Sequence, residues 1–237
     1  MNIVNLKCAL AALMLISFNA YSGIVIGGTR FVFPQESETL VVALRNTEKK
    51  PFLMKSKIVN DEGLSTTGIT IPVEEPQKPP FVATPPVIIV NGEQEQQLKI
   101  IYTGGALPVD RESLFWLSVS AIPPSSPTTD DSAHVKIAVN QQVKLLWRPA
   151  GLPELSEAER KPLRWQRQGK RVTVSNDTPW YVTLSSLRVN GKNITGGMVP
   201  PYNQRNIDWC PASGRCEISW QMLEDDGQPL QIMRVAL

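Results

Sequence analysis

Histidine is almost absent from this 237-residue chain, which carries one, His134. A catalytic imidazole works with a nucleophile and an orienting carboxylate; a lone histidine between Ala133 and Val135, where a polar loop meets a strand, reads as an ordinary exposed side chain. Cysteine is nearly as scarce, with three in all, and two cysteines with one distant histidine cannot complete a tetrahedral metal site. The glycine pairs Gly27-Gly28, Gly104-Gly105 and Gly196-Gly197 lack the Lys-Ser/Thr that completes a phosphate-binding loop and read as turns or bulges. The acidic pairs Asp130-Asp131 and Asp225-Asp226 match no calcium-loop spacing. A formal charge of only +2 leaves no nucleic-acid footprint and no lure for acidic lipid. No catalytic site can be assembled from these residues, so neither an enzymatic activity nor a cofactor is expected.

Long apolar runs are also missing. The stretch from Ala9 to Phe18 is ten residues, apolar except for Ser17, and a bilayer crossing needs about twenty. Lys7 precedes it, and the small residues Ala20 and Ser22 are spaced as a cleavage site before Gly23. Residues 1–22 therefore read as a signal peptide, with no membrane insertion after its removal. Cleavage would take away Cys8 and one lysine, leaving the exported chain one positive charge poorer. Cys210 and Cys216 remain, an even pair close in sequence, and export favours a disulfide between them.

What the chain has instead is proline, twenty of them, punctuating short alternating runs. Thr39–Asn46, Phe52–Val59, Gln97–Tyr102, Leu114–Ile122 and His134–Trp147 read as strands, and helical periodicity is nearly absent. The pattern breaks at Pro149–Pro162, where Ser156–Glu159 is the one plausible helical turn and the charge density marks a linker. A second series follows at Leu163–Gln166, Lys170–Asn176, Tyr181–Val189, Ile207–Cys210, Cys216–Leu223 and Leu230–Val235. The reading is all-β: two tandem β-sandwiches, at residues 23–148 and 162–237, joined by a linker at 149–161. The second is small for a domain, which gives a Cys210–Cys216 bridge a stabilising role.

Two segments stand out. Leu107–Pro124 (LPVDRESLFWLSVSAIPP) is a turn feeding a strand in which Phe115, Leu117, Val119 and Ala121 alternate with Trp116, Ser118 and Ser120. The second, Lys136–Ala150 (KIAVNQQVKLLWRPA), would be a strand about fifteen residues long if it starts at His134, against a usual five to six or so. One face of it begins Val135, Ile137, Val139. An ordinary sheet strand burying one face would look similar, but the hydrophilic run Ser125–Ala133 leaves its first half near an edge, where another chain could add.

LPVDRESLFWLSVSAIPP followed by VKLLWRPAGLP strongly resembles the PapD-like periplasmic chaperones of the chaperone–usher pilus pathway. Weaker resemblance runs through GGTRFVFP (Gly27–Pro34), FVATPPV (Phe81–Val87) and NDTPWYVTL (Asn176–Leu184). The resemblance implies two immunoglobulin-like domains and a periplasmic protein. It also implies a chaperone that lends a β-strand to a pilus subunit lacking its own and delivers it to an outer-membrane usher. Carried over residue by residue, the donated side chains are Val135, Ile137 and Val139. Arg30 and Lys144 would bind the subunit's C-terminal carboxylate. Glu112, Arg148 and Asp225 would form a charged cluster between the domains, with the adjacent Asp226 as the alternative to Asp225. By position alone Arg30 and Lys144 could equally be surface charges, although Lys144 interrupts apolar neighbours, a costly place for an unpaired ammonium. The loop Ser125–Ala133 is short and has no flanking cysteines, as in the short-loop members. A fimbrial structural subunit is the alternative from another class, but such a chain should show one truncated sandwich.

Overall fold

The computed structural model describes residues 23–61, 78–124, 137–152, 154 and 163–237. The leader, the Ser156–Glu159 turn, His134 and Val135 fall outside the described residues.

Two sheets face each other in the first half of the chain. One has the order β1 (Ile24–Ile26), β3 (Thr39–Asn46), β7 (Glu95–Tyr102), β5 (Phe81–Thr84). The other has the order β2 (Arg30–Pro34), β9 (Val139–Arg148), β8 (Ser113–Ile122), β4 (Phe52–Asn60), β6 (Val87–Val90). β1 and β2 are one stretch of chain that changes sheets: β1 pairs antiparallel with β3 and β2 parallel with β9. The crossing is at Gly27-Gly28. There the Gly27 amide donates to the Ala43 carbonyl, and an added Cβ would lie 3.2 Å from that of Ala43, so the missing side chain lets the strand hug β3 as it leaves. Strands that switch sheets in this way close a corner of a sandwich.

Alternation builds the core. Phe115, Leu117, Val119 and Ala121 of β8 point inward with Val143, Leu145 and Trp147 of β9. Phe33, Phe81, Tyr102, Phe115 and Trp147 form an aromatic cluster, with Tyr102 and Trp147 stacked at 4.4 Å and Phe81 edge-on to Phe115 at 4.9 Å. Such offset and edge-on pairs add about 0.5–1.5 kcal/mol beyond the area they bury. Buried Asn46 ends β3. Its amide donates to the carbonyls of Lys50, Val90 and Asn91, and its Oδ1 accepts from the Glu48 amide. One side chain thus satisfies the backbone of two turns, as burial requires.

The second half repeats the scheme with smaller sheets: β10 (Arg164–Gln168), β11 (Arg171–Asn176) and β15 (Asn203–Asp208) on one side; β13 (Lys192–Asn193), β12 (Val182–Val189), β16 (Glu217–Gln221) and β17 (Met233–Ala236) on the other, with β14 (Gly197–Val199) also on β12. Asn176 closes β11 as Asn46 closes β3, donating to the carbonyls of Trp180, Val199 and Pro200. Cys210 and Cys216 are disulfide-bonded beneath this core. The fold is all-β in two tandem sandwiches. Several strands differ in extent from the alternating runs. β15 stops at Asp208, because Trp209 and Cys210 already belong to the loop held by the disulfide and by the Cys210 amide on the Lys170 carbonyl. β17 starts at Met233, since Leu230 is spent turning back onto the Met222 carbonyl. β9 starts at Val139; Ile137 and Ala138 are not in strand.

Candidate functional site

Alternation in β2 and β9 creates two faces with different fates. Phe31, Phe33, Leu145 and Trp147 enter the first core. Arg30 and Val32, with Lys144, Leu146 and Arg148, point the other way, towards the second sandwich. Leu146 packs there with Leu114 and Met198, and Val32, Trp116 and Tyr181 border them. This apolar contact sits between two polar groups, one on each side of it in the β2/β9 register.

At the C-terminal end of β9, Arg148 holds two carboxylates. Its Nε and Nη2 donate to Glu112 Oε1 at 3.0 and 2.7 Å, and its Nη1 and Nη2 donate to Asp225 at 2.6 and 2.9 Å. The other oxygen of Glu112 accepts from the Tyr181 amide, and the Glu112 amide donates to the Pro179 carbonyl. Glu112 and Arg148 come from the first sandwich and Asp225 from the second. Asp226 instead accepts from the Gln228 amide in its own turn. Burial works against the Arg148 charge, but the hydrogen bonds and attraction from Asp225 and Glu112 outweigh it and hold the guanidinium above its ordinary value. Burial pushes the Glu112 carboxyl up, against the pull of Arg148 and of the Tyr181 amide. A fully hydrogen-bonded buried cluster fixes orientation more readily than it adds net stability.

Four residues back along β9, on the far side of Leu146, Lys144 is the direct cross-strand partner of Arg30. Like charges placed opposite one another destabilise a sheet; here Arg30 is buried and Lys144 half-buried. The Arg30 side chain is 4% exposed, with its Nη2 3.8 Å from Asp225. Its Nε and Nη1 are buried and have no hydrogen-bond partner among the described residues. Burial lowers its pKa, with Glu112 and Asp225 opposing. Lys144 donates to Thr183 Oγ1 of the second sandwich at 3.4 Å. Burial first, then repulsion from Arg30, drops its ammonium to about 8. Arg30, Lys144 and Arg148 thus face two contacted carboxylates, and Asp226 acts on Arg30 only as the weakest of its influences.

At the other end of the strand the surroundings are reversed. Ile137 is 73% exposed and Val139 52%, although they continue the face that carries Val143, Leu145 and Trp147 into the core. Asn140 accepts hydrogen bonds from the Ser118 and Ser120 hydroxyls on β8, which holds this end to one neighbour. Sequence patterns did not single out Thr183, the Leu114–Leu146–Met198 contact or the bond from Gln141 to the Ile24 carbonyl described below. Each depends on which parts of the chain meet in space, and only the apolar Leu146 between Lys144 and Arg148 hinted at a covered second face. Among the described residues no group of three or more His, Cys, Asp or Glu side chains could hold a metal ion.

Comparison with known proteins agrees with this geometry. Residues 23–153 match the family described as pili and flagellar-assembly chaperone, PapD N-terminal domain, and residues 158–232 match the pili assembly chaperone PapD, C-terminal domain. The chain is 35% identical over 217 residues to the uncharacterized fimbrial chaperone YcbF of Escherichia coli K12, covering 90% of this chain and 88% of that one. Among solved structures it is similar to a chain of the Salmonella enterica SafA pilin–SafB chaperone complex, with 27% identity, a TM-score of 0.77 and coverage of 93% and 99%. It is also similar to the E. coli chaperone DraB, with 29% identity, a TM-score of 0.74 and coverage of 90% and 98%. The chain belongs to the PapD family of periplasmic chaperones that assemble pili and fimbriae by the chaperone–usher pathway.

Proposed function

We propose that this chaperone grips a fimbrial subunit at two points on β9. The segment leading into the strand, with Val135, Ile137 and Val139 as its apolar row, is lent to the subunit's incomplete sandwich. Arg30 and Lys144 receive the subunit's terminal carboxylate in the cleft, and the charged cluster of Glu112, Arg148 and Asp225 sets the angle between the two sandwiches around it. The protein acts stoichiometrically and without catalysis, binding pilus subunits and passing them to an outer-membrane usher.

The observation that carries this reading is the cross-strand pair of cations, Arg30 buried and Lys144 half-buried, with the Arg30 Nε and Nη1 lacking an acceptor among the described residues. A carboxylate supplies acceptors for those N–H groups and an anion for Lys144, and charge-assisted bonds of this kind are about twice as strong as neutral ones. The exposed apolar row adds the second half of the argument. An incomplete sandwich offers both an apolar groove and an unpaired ladder, and an incoming strand satisfies both. Each β-branched side chain buried there contributes roughly 1.5–3 kcal/mol before association costs.

The test is recovery of co-expressed subunit from the periplasm with Arg30→Ala and Lys144→Ala, each checked by circular dichroism. Both variants are expected to stay folded and lose the subunit. Normal recovery with both removes the carboxylate reading. Ile137→Asp against Ala138→Asp tests the strand. The first puts an unpaired charge in the groove, at a cost of several kcal/mol; the second alters the adjacent residue, which faces the opposite way.

A further inference from the structure

The two edges of β9 are unequal. Along β8 it is paired throughout, from Val139 opposite Ala121 to Trp147 opposite Ser113. Along β2 it is paired only from Lys144 to Arg148, because the chain upstream of Arg30 has crossed to the other sheet as β1. Between Val139 and Val143 that edge has no strand partner among the described residues. One side chain spans the opening. Gln141 lies opposite Val119 on the core-facing side of β9, and its Nε2 donates to the Ile24 carbonyl at 2.9 Å. Flanking β1, the Gly23 carbonyl accepts from the Thr47 amide and the Gly27 amide donates to the Ala43 carbonyl, so both turn towards the β3 side. Successive residues of an antiparallel strand direct these groups to opposite edges, so the Ile24 carbonyl faces out of its sheet. Gln141 therefore ties the open edge of one sheet to the open edge of the other.

Its place in the sequence matters as much as its bond. The face reads Val135, Ile137, Val139, Gln141, Val143, Leu145, Trp147, and Gln141 is the only polar member. A strand displaced by one residue presents the wrong face and is rejected. Displacement by two preserves the face, so alternation offers no protection against it. An apolar residue at 141 would let a subunit's groove advance from the row outside the domain into the row that fills its core.

Resting on the strand-lending reading above, we propose that Gln141 is the register stop of the donated strand: a positioning residue that latches β9 to the Ile24 carbonyl, ends the donatable row at Val139 and blocks a two-residue advance of the bound subunit. The polar amide is needed in its full length, since only it reaches Ile24.

The experiment introduces one cysteine at Val139 and, in separate subunit variants, cysteines at successive inward-facing groove positions. Disulfide products are then mapped in periplasmic complexes. Probe subunits are taken from those known with similar chaperones, starting with the SafA pilin, and the one that the unaltered chaperone captures is used. With Gln141 present, one groove position should carry at least nine-tenths of the cross-link. Gln141→Val should move a third or more of it to the position two residues further on, with weaker total capture because the shifted subunit's carboxylate no longer sits between Arg30 and Lys144. Gln141→Asn, polar but too short, and Gln141→Glu, of full length but unable to donate, should shift it similarly. A single unshifted product in all three variants overturns the proposal. Shift with valine alone overturns the latch and leaves polarity as the stop. Ile137→Asp in the same assay keeps the outcomes separate: if it captures normally, the strand-lending reading itself has failed.

Discussion

From Val143 to Trp147 strand β9 keeps a neighbour on β8, joined from Lys144 by β2 on its other edge, with both faces covered; from Val139 to Gln142 it has one neighbour, and the side chains of Val139 and of Ile137 just before the strand stand in solvent. The residue types on the inward face hardly differ between the two halves. Leu145 is buried where β2 runs alongside, while Ile137 and Val139, beyond the reach of β2, are exposed. β2 runs alongside for five residues and then leaves through Gly27-Gly28. Termination of one strand thus converts a continuous apolar face into a rooted half that stabilises this domain and a free half available to another chain. The same ending leaves Arg30 opposite Lys144 at the junction, so both proposed grips on a subunit follow from where β2 begins.

The largest effect should come from breaking the root. Glu112→Ala leaves Arg148 with Asp225 alone and the Tyr181 amide without its acceptor. Removing one partner of a buried pair costs about 3–5 kcal/mol, so urea unfolding should shift by that amount. If the loss is under 1 kcal/mol, the cluster does not tie β9 to the second sandwich energetically.

Next comes a direct comparison of the halves. Leu145→Ala removes a fully buried side chain and should cost about 2–5 kcal/mol, whereas Ile137→Ala, at an exposed position, should change stability by no more than about 0.5 kcal/mol. Equal costs in denaturant titrations would mean that the free half is packed in solution and would erase the distinction.

The junction should behave differently from either half. Lys144 is lowered to about 8 from 10.5, so the unfolded chain holds its proton more tightly than the folded one. Stability contributed by this group is therefore fully present above about 10.5 and is lost as pH falls through about 8. At pH 7 the buried ammonium costs about 3 kcal/mol by this linkage. Lys144→Met should stabilise the free chaperone by up to that amount at pH 7, flatten its stability between pH 8 and 10.5, and abolish subunit capture. Capture by the unaltered protein should weaken above about pH 8, as the ammonium that faces the carboxylate is lost. Destabilisation by Lys144→Met at neutral pH would show that the lysine is well partnered without a subunit.

How much of this was legible beforehand depends on range. Thr39–Asn46 appears as predicted because eight residues of alternation carry their own signal; β1 and β2, at three and five residues, are too short for periodicity, and only β2 came into view, through the GGTRFVFP motif. The alternation in β9 showed which residues share a face, but not which stretch of that face is covered. That depends on β2, more than a hundred residues away in sequence. By position Asp226 stood as a close alternative to Asp225, and the hydrogen bonds separate them: Asp225 reaches Arg148 across the domains and Asp226 caps its own turn. Gln141 looked like one more polar residue in a mixed strand. Its meaning depends on the Ile24 carbonyl, 117 residues distant.

The smallest expected effect is a control remote from β9. Cys210 and Cys216 close a short loop, six residues apart, against the core of the second sandwich. In the chain-entropy picture such a bridge stabilises by about 2 kcal/mol, and Arg167 shares the load by donating to the carbonyls of Pro211, Gly214 and Leu237 around the same loop. Replacing both cysteines with serine should lower the unfolding midpoint accordingly. None of the bonds at Arg148, Lys144 or Gln141 passes through that loop, so subunit capture at a temperature where the variant remains folded should be unchanged. Thiol labelling of the unaltered protein gives the companion measurement, with no free thiol expected at either position. A folded double variant that loses capture would mean that the second sandwich bears on the cleft through more than Asp225, Thr183 and the Met198 contact, and the functional contrast along β9 could no longer be assigned to the strand alone.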